Sequence, residues 1–438
     1  MSRTGEKNGN GQPELQPTVR FPEFGEDGAW HTETIGEISE PIKEKVGEYK
    51  ITPVSITAGV GFVPQADKFG RDISGEQYKN YTYLRRGDFA YNKGNSKSFP
   101  QGYVCQLHEF DEVAASSAFI CFKLKDGYDP TFLKGLFDRN THGRQLAAHI
   151  TSGARSNGLL NLNAGQFYGV QLPFPPKFDE QERIAECLTS IDALIEAETE
   201  KLGALKDHKQ GLMQQLFPAE GESLPALRFP EFVKHDDWDF CELGPMTDKV
   251  GSGVTPKGGD ANYKTSGRPF LRSQNVGWGH LILEDVANID EETHQNMIGT
   301  ELIKGDVLLN ITGASIGRSA IADSRVEGGN VNQHVCIIRV KPEGLNPEFL
   351  KQYLISSSGQ SQIDQCQAGG NRQGLNFQQI RSFNIPLPPT IYEQTIIASA
   401  LQSVDTLISE QASRMEALRN HKLGLLQQLF PVLDEVVG

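Results

Sequence analysis

The chain of 438 residues is acidic, with 42 Lys and Arg against 56 Asp and Glu and a formal net charge of −14. This length has room for about three domains, and no apolar run is long enough to span a membrane. Residues 1–17 are polar and unlike a signal peptide, and the six cysteines form no CxxC pair, so we expect a cytoplasmic protein with reduced thiols. The ten histidines lack the spacing of metal ligands, so we expect no metal site.

The N-terminal region contains a short motif that returns later in the chain. Residues 1–17 are rich in Gly, Asn and Glu, and we predict a disordered tail there. The sequence RFPEF follows at 20–24, with Trp30 six residues after it. The same RFPEF occurs at 228–232, with Trp238 six residues after it. This recurrence predicts an internal repeat.

The first globular segment, residues 18–171, has the pattern of short strands separated by turns. The predicted strands are residues 50–57, 81–84, 88–91, 103–107 and 119–124, and residues 130–139 are predicted to form a helix. A polar glycine loop, SGARSNG at 152–158, comes after the helix.

The second globular segment, residues 228–384, follows the same plan with little shared sequence. Its predicted strands are residues 270–272, 306–311 and 335–340, its predicted helix is residues 347–356, and its glycine loop is AGGNRQG at 368–374. Strands and helices without regular βαβ units predict an α+β fold. Two modules that share the same order of strands and helices but differ in sequence indicate a protein that recognises two different targets.

Each globular segment leads into a long helix, and the two helices are the clearest repeat in the chain. Residues 173–218 and 386–431 align with 23 identities in 46 positions. Their apolar residues follow the four-three spacing of a coiled coil, and prolines stand at both ends. We assign residues 172–218 to a central helix, 219–227 to a linker, 385–431 to a C-terminal helix and 432–438 to a tail.

These apolar residues form a narrow stripe along each helix, the seam. A seam this narrow predicts that the two helices pack on each other, whereas the alternative is that each is a core helix of its own domain. The expected contact residues are Ile191, Ile195, Glu198, Leu202, Leu205, Leu212, Ile408, Met415, Leu418, Lys422, Leu425 and Leu429. The favoured antiparallel register pairs Glu198 with Lys422 and Lys209 with Gln411, because a buried polar layer can define register. A shift by one heptad leaves the lysines opposite apolar residues.

The negative charge is concentrated on the helices. Residues 179–216 carry a net charge of −5, whereas residues 249–275 carry +4 and residues 132–176 carry +3. Affinity for DNA depends on local charge more than on the total, so the acidic balance does not exclude a nucleic-acid partner.

Four motifs taken together resemble the DNA-specificity subunit of type I restriction–modification systems. They are PLPP at 386–389 with EQ at 393–394, GDVLLNITGASIGR at 305–318, NVNQH at 330–334 and RGDFAYNKG at 86–94. The resemblance covers residues 20–431.

The resemblance implies two α/β target-recognition domains joined by two long antiparallel coiled-coil helices in a pseudo-two-fold repeat. Each domain would read one half of a bipartite site in double-stranded DNA, and the helices would set the spacer between the halves. The resemblance further implies docking of two methyltransferase subunits and of restriction/translocase subunits. Those partners would bind S-adenosylmethionine, ATP and Mg, while this chain would be non-catalytic and hold no cofactor.

The expected DNA-contacting residues are polar and basic side chains near the predicted loops, because Arg reads guanine edges and Asn or Gln reads adenine edges. In the first module they are Asn92, Lys93, Asn95, Lys97, Arg155 and Asn157. In the second they are Arg272, Ser273, Gln274, Asn275, Asn310, Thr312, Ser315, Arg318, Asn371 and Arg372. For GASIGR at 313–318 the alternative is a tight turn with a solvated arginine, and for NQH at 332–334 we favour a buried polar network.

Two other functions stay open on the sequence. One is a coiled-coil scaffold that binds two proteins without reading DNA, which the net acidity favours. The other is the specificity subunit of a related bipartite-site restriction enzyme outside type I.

Overall fold

The computed structural model describes residues 15–94, 99–150, 160–256, 258–368 and 374–433. The chain divides into two compact units: unit 1 comprises residues 1–198 and 414–438, and unit 2 comprises residues 199–413. Each unit therefore contains one mixed domain and one part of each long helix.

Unit 1 has ten short strands in its described residues. They are β1 (His31–Thr34), β2 (Ser39–Pro41), β3 (Pro53–Thr57), β4 (Gly61–Pro64), β5 (Thr82–Arg85), β6 (Phe89–Asn92), β7 (Tyr103–Gln106), β8 (Glu112–Ala115), β9 (Ile120–Leu124) and β10 (Gln171–Phe174). Two four-stranded sheets have the orders β2-β9-β6-β7 and β4-β3-β8-β5. A third, two-stranded sheet pairs β1 with β10 and so joins the beginning of the domain to its end.

The helices of unit 1 lie between and after these strands. They are α1 (Ile35–Ile38), α2 (Gln65–Phe69), α3 (Pro130–Asp138), α4 (Thr141–Ala147), α5 (Ala164–Tyr168) and the first part of α6 (Phe178–Leu216). Helix α3 begins where predicted, because Pro130 suits a first helical position and the Asp129 carboxylate accepts the backbone N–H of Phe132 at 2.8 Å. Its buried side chains include Phe132 and Phe137, which belong to the same core as Phe89 of β6.

Unit 2 repeats this plan with nine strands in its described residues. They are β11 (Asp239–Glu242), β12 (Thr247–Ser252), β13 (Arg268–Leu271), β14 (Ala287–Ile289), β15 (Val307–Asn310), β16 (Ser319–Ile321), β17 (Asn330–Val331), β18 (Val335–Val340) and β19 (Asn384–Leu387). The sheet orders are β12-β18-β15-β16, β14-β13-β17 and β11-β19. The helices are α7 (Glu291–Gln295), α8 (Pro347–Ile355), α9 (Ser357–Ala368), α10 (Phe377–Arg381) and α11 (Ile391–Leu429).

The two units use the same ion pair to attach their RFPEF motifs. In unit 1 the Glu180 carboxylate accepts Arg20 Nη2 at 2.7 Å and the indole N–H of Trp30 at 3.3 Å. In unit 2 Glu393 accepts Arg228 Nε at 2.7 Å, and the indole N–H of Trp238 donates to it at 3.2 Å. Both glutamates are buried. Together with the mixed sheets and helices, these repeated contacts confirm the predicted α+β class and the internal repeat.

The long helices α6 and α11 are 39 residues each and pack on each other in both units. In unit 1 the start of α6, at Ile184 and Leu188, shares a core with Leu426 and Leu429 near the end of α11. In unit 2 the relation is reversed, and Leu216 near the end of α6 lies in one core with residues such as Leu401 of α11. The helices are thus antiparallel. All twelve seam residues named above are buried or half-buried, as expected of the faces by which the two helices pack.

The register of this contact differs from the favoured one. Glu198 pairs with Arg414 at 2.8 Å, not with Lys422, and Lys422 pairs instead with Asp192 at 2.6 Å. Lys209 meets Asp405 at 2.6 Å rather than Gln411. The favoured register was wrong because it matched only polar residues inside the seam. In the observed register, which is shifted by one heptad, Lys209 and Lys422 each reach an aspartate that stands just beside the seam. The apolar residues of the two seams stay in contact.

The predicted strands and helices of both domains all overlap observed ones, but several elements were missed. They are the β1–β10 and β11–β19 pairs, β2, β4, β8, β12, β14, β16, β17 and the helices α1, α2, α4, α5, α7, α9 and α10. The predicted tail also extends too far, since Leu15 O accepts the backbone N–H of Trp30 at 2.8 Å. Across the described ranges, no helix has the length and apolarity needed to cross a membrane.

Candidate nucleic-acid interface

The two domains carry an asparagine at the end of equivalent central strands, and both side chains support the fold. Asn92 ends β6 and donates to Ile56 O at 3.3 Å, while Asn310 ends β15 and donates to Ser273 O at 2.8 Å. Asn310 is fully buried, which disfavours its predicted contact with DNA. The amide is needed inside, where it closes the gap between two sheets.

The described residues that follow each predicted glycine loop lie against these strand ends. Leu160, the first described residue after the loop of unit 1, donates its N–H to Lys93 O at 2.9 Å. Leu375 makes the same bond to Ile311 O at 2.9 Å in unit 2, and Gly374 bridges to Thr312. The candidates Asn95, Lys97, Arg155, Asn157, Asn371 and Arg372 themselves lie outside the described residues.

An open depression of about 400 Å³ gathers the other candidates of unit 2. Its lining residues are Ser273, Gln274, Thr312, Gly313, Ala314, Ser315, Arg318 and His334. Five of the ten residues predicted for this module therefore share one surface. None of these eight lining residues is an aspartate or glutamate, so the depression offers a guanidinium, hydroxyls and an amide to a ligand.

Arg318 is held at this surface by its backbone. Gly317 has φ of 88° and Gly313 has φ of 73°, conformations that favour glycine and turn the chain sharply after β15. The N–H of Arg318 donates to Ser315 O at 3.2 Å, and its carbonyl accepts the N–H of Asn310 at 2.9 Å. Arg318 thereby directly precedes the return strand β16 and is hydrogen-bonded through its backbone to β15.

Arg272 lies at the same loop but its guanidinium is already bound. Its Nη2 donates to Asp285 Oδ2 at 3.1 Å, and Gln274 donates to the same oxygen at 2.7 Å. The guanidinium also lies 5.4 Å from the centre of the Tyr263 ring. Asn275 is buried and donates to Ile282 O at 2.9 Å, so this residue shapes the loop, and its burial disfavours the predicted contact with DNA.

His334 is a lining residue that the candidate set left out. Its Nδ1 lies 2.5 Å from the Thr312 hydroxyl, and its backbone N–H donates to the buried Asn332 Oδ1 at 3.0 Å. The expected buried network at 332–334 holds for Asn332, whereas Gln333 is exposed. The NVNQH motif was the available signal, but sequence alone did not show that its histidine faces outward.

Thiol chemistry is not available beside this surface. Cys336 lies on β18, two residues after His334, and burial raises its pKa to about 12. The thiol therefore stays protonated at neutral pH and serves as a packing group.

Unit 1 presents a different surface in its described part. Lys93 donates to Leu162 O at 3.5 Å, so it braces the returning chain. A second depression of about 410 Å³ lies elsewhere in the unit and includes Lys134, Asp138, Asp192 and Lys422, whose charges pair with one another. The described residues of unit 1 thus do not gather its candidates as unit 2 does.

A comparison with protein families identifies both modules. The family model described as "Type I restriction modification DNA specificity domain" matches residues 37–207 and again 235–418, which together are more than half of the chain. The match favours DNA reading over the scaffold alternative.

Relatives and solved structures agree with this match. The chain is 25% identical over 287 residues to the type I restriction enzyme MjaVIII specificity subunit of Methanocaldococcus jannaschii, an alignment that covers 64% of this chain and 66% of that relative. The crystal structure of a type I restriction–modification system S subunit from M. genitalium superposes with a TM-score of 0.58, at 15% identity over 96% of this chain and 100% of that one. A chain from work on complex assembly and conformational transition of the type I R-M system gives 0.56, at 18% identity over 96% and 99%. These two likenesses show the fold.

Proposed function

Because the chain belongs to the type I restriction–modification DNA specificity domain family, we propose that it is the DNA-binding specificity subunit of a type I restriction–modification enzyme. Each of its two recognition domains reads one half of an asymmetric bipartite site in double-stranded DNA. The sequence-specific contacts come from side chains at base edges, and phosphate contacts position the protein.

The observation that carries this proposal is the depression in unit 2. It brings Ser273, Gln274, Thr312, Ser315 and Arg318 onto one open surface whose lining has no carboxylate. DNA is a polyanion whose base edges present acceptors, so a donor-rich surface without acids suits it. The acidic total charge is no obstacle, because affinity depends on the charge at the contact surface and no lining residue of the depression is acidic.

The asymmetry of the proposed site follows from the difference between the two domains. Unit 2 places an arginine and hydroxyls in the turn after β15, whereas the equivalent strand β6 of unit 1 ends in Asn92 and is followed by Lys93, and both of these residues bond backbone carbonyls. Two surfaces with different donors select different bases. We therefore expect two unlike half-sequences and not a palindrome.

The two long helices take two roles in the proposal. Their length sets the number of base pairs between the half-sites, since 39 residues of α-helix extend about 58 Å and a DNA turn about 34 Å. Their outer faces dock two methyltransferase subunits. Leu194 of α6 and Leu407 of α11 occupy equivalent positions in the repeat and are 41% and 50% exposed, so two copies of one partner would meet the same residue.

The chemistry of modification and cleavage belongs to the partners. S-adenosylmethionine, ATP and Mg would bind to methyltransferase and restriction/translocase subunits, and this chain would choose where they act. A partner that methylates adenine within duplex DNA must flip the base out of the helix. The specificity subunit then contributes binding and register but no reacting group.

Methylome sequencing tests the proposal directly. A host that carries the chain and its methyltransferase partner is expected to show one bipartite methylated motif, which disappears when the chain is deleted. Replacing residues 228–384 with the same domain of another family member is expected to change one half of the motif and leave the other half. An unchanged motif after this exchange would refute sequence reading by unit 2.

A separate experiment tests the role of helix length. Four residues inserted in α6 are expected to alter the preferred spacer while both half-sequences stay the same. A shorter or longer helix with unchanged spacer preference would remove the helices from the measuring role and leave the reading role intact.

A further inference from the structure

We propose that Arg318 is the specificity-determining residue that reads a guanine in the half-site recognised by unit 2. This inference rests on the proposed function and names the base that the depression selects. It assigns one base pair to one side chain, so it can fail while DNA recognition by the chain stands.

The first argument is that, among the described arginines of unit 2, Arg318 is the one whose guanidinium has no partner. Every other arginine in the described part of unit 2 uses its guanidinium. Arg228 binds Glu393, Arg268 binds Glu291, Arg272 binds Asp285, Arg325 binds Asp323, Arg339 binds Asp306 and Arg381 donates to Val250 O. Within the described residues the guanidinium of Arg318 makes no hydrogen bond or ion pair, although the side chain is half-buried. Its five donors are available to a ligand.

The second argument is that the backbone beneath this guanidinium is rigid. Gly317 N donates to Asn310 O at 3.0 Å, and Gln360 Nε2 donates to Gly317 O at 3.0 Å. A Cβ at Gly317 would lie 2.5 Å from Gln360 Oε1, so this turn accepts no larger residue without rearrangement. A side chain on a fixed backbone loses less entropy when it binds, and the position of its base partner is correspondingly well defined.

The third argument concerns the chemistry of the lining. The depression adds the hydroxyls of Thr312 and Ser315 around the guanidinium and contains no acidic side chain. A guanine edge presents two acceptors, O6 and N7, in the major groove, and the planar fork of arginine matches both at once. Cytosine and adenine present an amino donor there, which a guanidinium cannot accept.

Arg272 supplies the contrast within the same loop. Its bond to Asp285 neutralises its charge, and Asp285 also holds Gln274. Arg272 is therefore a positioning residue that keeps the Ser273–Asn275 turn in place beside Arg318. Among the described arginines of unit 2, Arg318 is therefore the one left to discriminate guanine.

The experiment uses the chain in complex with its methyltransferase partner and duplexes that carry the motif found in the wild-type methylome. Domain exchange first identifies the half-site of unit 2, and each position of that half is then changed in turn. R318A and R318K are compared with R325A, which removes the same charge from an exposed arginine outside the depression. Binding is measured at several salt concentrations, and thermal unfolding shows that each variant is folded.

The expected result is a loss of discrimination at one G·C pair by roughly 5- to 150-fold in both R318A and R318K, with the other positions unchanged. Lysine cannot make the planar two-donor contact, so it should not restore selectivity. R325A is expected to keep the wild-type preference at every position. If R318A proves unfolded, R318K, which preserves charge and most of the volume, decides the matter.

Three results would overturn the inference. The half-site of unit 2 could contain no G·C pair. R318A could weaken binding to all sequences equally and lower the slope of log affinity against log salt concentration by about one, while R318K keeps the wild-type affinity. That is the behaviour of a phosphate contact. Both variants could retain full discrimination. In each case the wild-type chain would still direct methylation to its motif, so a failure of the proposed function is recognised separately, by a wild-type complex that has no motif.

Discussion

Lys209 Nζ lies 2.6 Å from Asp405 Oδ1, and the ion pair joins the two long helices within unit 2. The equivalent residues of the repeat form the same bond in unit 1, where Lys422 lies 2.6 Å from Asp192. One pair of side chains, used twice, therefore defines the antiparallel register in both units. A single heptad shift would separate every one of these charges from its partner, and a half-buried lysine without a carboxylate is costly.

The register gives the first prediction. A short bis-maleimide crosslinker should join E198C to R414C in the folded chain, because the natural side chains form an ion pair of 2.8 Å. The pair E198C with K422C should stay unlinked, since position 422 lies eight residues, or about 12 Å, further along α11. The half-buried Cys187 is replaced in both variants, and gel mobility after proteolysis between the helices reports the link. Efficient linkage of the second pair alone would mean that the helices pair in a different register.

The buried glutamate beneath each RFPEF motif gives the second prediction. Glu393 is fully buried and accepts Arg228 at 2.7 Å and the Trp238 indole at 3.2 Å. E393Q leaves the arginine without a carboxylate, and we expect a loss of about 3–5 kcal/mol in the free energy of unfolding. Denaturant unfolding followed by tryptophan fluorescence measures it. The exposed E410Q on the same helix should change stability by at most about 0.5 kcal/mol, and equal values for both variants would contradict the argument.

The repeat could be predicted well because it is carried by residue patterns that do not depend on distant partners. Heptad spacing alone indicates which side of α6 and α11 is buried, and RFPEF with its tryptophan is visible by eye. The register could not be predicted, because the deciding residues, Asp192 and Asp405, stand outside the seam and look like solvated charges. Only the three-dimensional contact shows that each faces a lysine.

The candidate site divides in the same way. Residue type pointed to the GASIGR turn, and the structure places Arg318 at an open surface there, where its contact with DNA stays a prediction. Residue type did not show that Asn275 and Asn310 are buried, because an asparagine that reads adenine and one that closes a gap between strands have the same side chain. Burial distinguishes the two roles, and burial depends on how sheets formed by residues far apart in the sequence pack against each other. His334 was missed because the motif that contains it was expected to be buried. Asn332 of this motif is buried, but His334 lines the depression.

Two glycines on and after β12 give the third prediction. A Cβ at Gly253 would lie 1.6 Å from Val331 O, so G253A must displace the β17 backbone and should cost at least about 3 kcal/mol. Gly251 is two residues earlier, and a Cβ added there would meet nothing within 4 Å. G251A is therefore the matched control, expected to be neutral or slightly stabilising. Thermal unfolding of both variants checks this, and similar midpoints would argue against the close approach.

Stability should fall in mild acid because of His142. Burial against Tyr91 and Phe137 lowers the pKa of this histidine from 6.5 to about 4, and the backbone of Gly102 offsets the effect only in part. Below pH 6.5 the unfolded chain binds a proton that the folded chain refuses. The contribution of His142 is thus complete above pH 6.5 and is lost as the pH falls toward 4, by about 3 kcal/mol in total.

The measurement compares wild type with H142L between pH 7 and pH 4.5. The variant lacks the titrating ring, so its free energy of unfolding should fall less steeply with acid than that of wild type. Other groups titrate in both proteins and cancel in the difference. Parallel curves would show that the ring can be protonated in the folded state at no cost.

The last prediction uses the exposed tryptophan of unit 2. Trp278 is 51% exposed, whereas Trp30 and Trp238 are 4% and 3% exposed, so collisional quenching by acrylamide acts chiefly on Trp278. Trp278 lies in the hairpin closed by the Val276–Leu281 bridge. The next residue, Gly279, donates its N–H at 2.9 Å to Ser319 O, directly after Arg318. A duplex bound at the depression should therefore cover this indole or stack on it.

We expect cognate DNA to shift the emission of Trp278 and to reduce its quenching by acrylamide. W278F should abolish both changes, and W238F should retain them. The W278F complex also supplies the background from partner tryptophans. Quenching that is the same with and without saturating cognate duplex would place the bound DNA away from this hairpin and from Arg318.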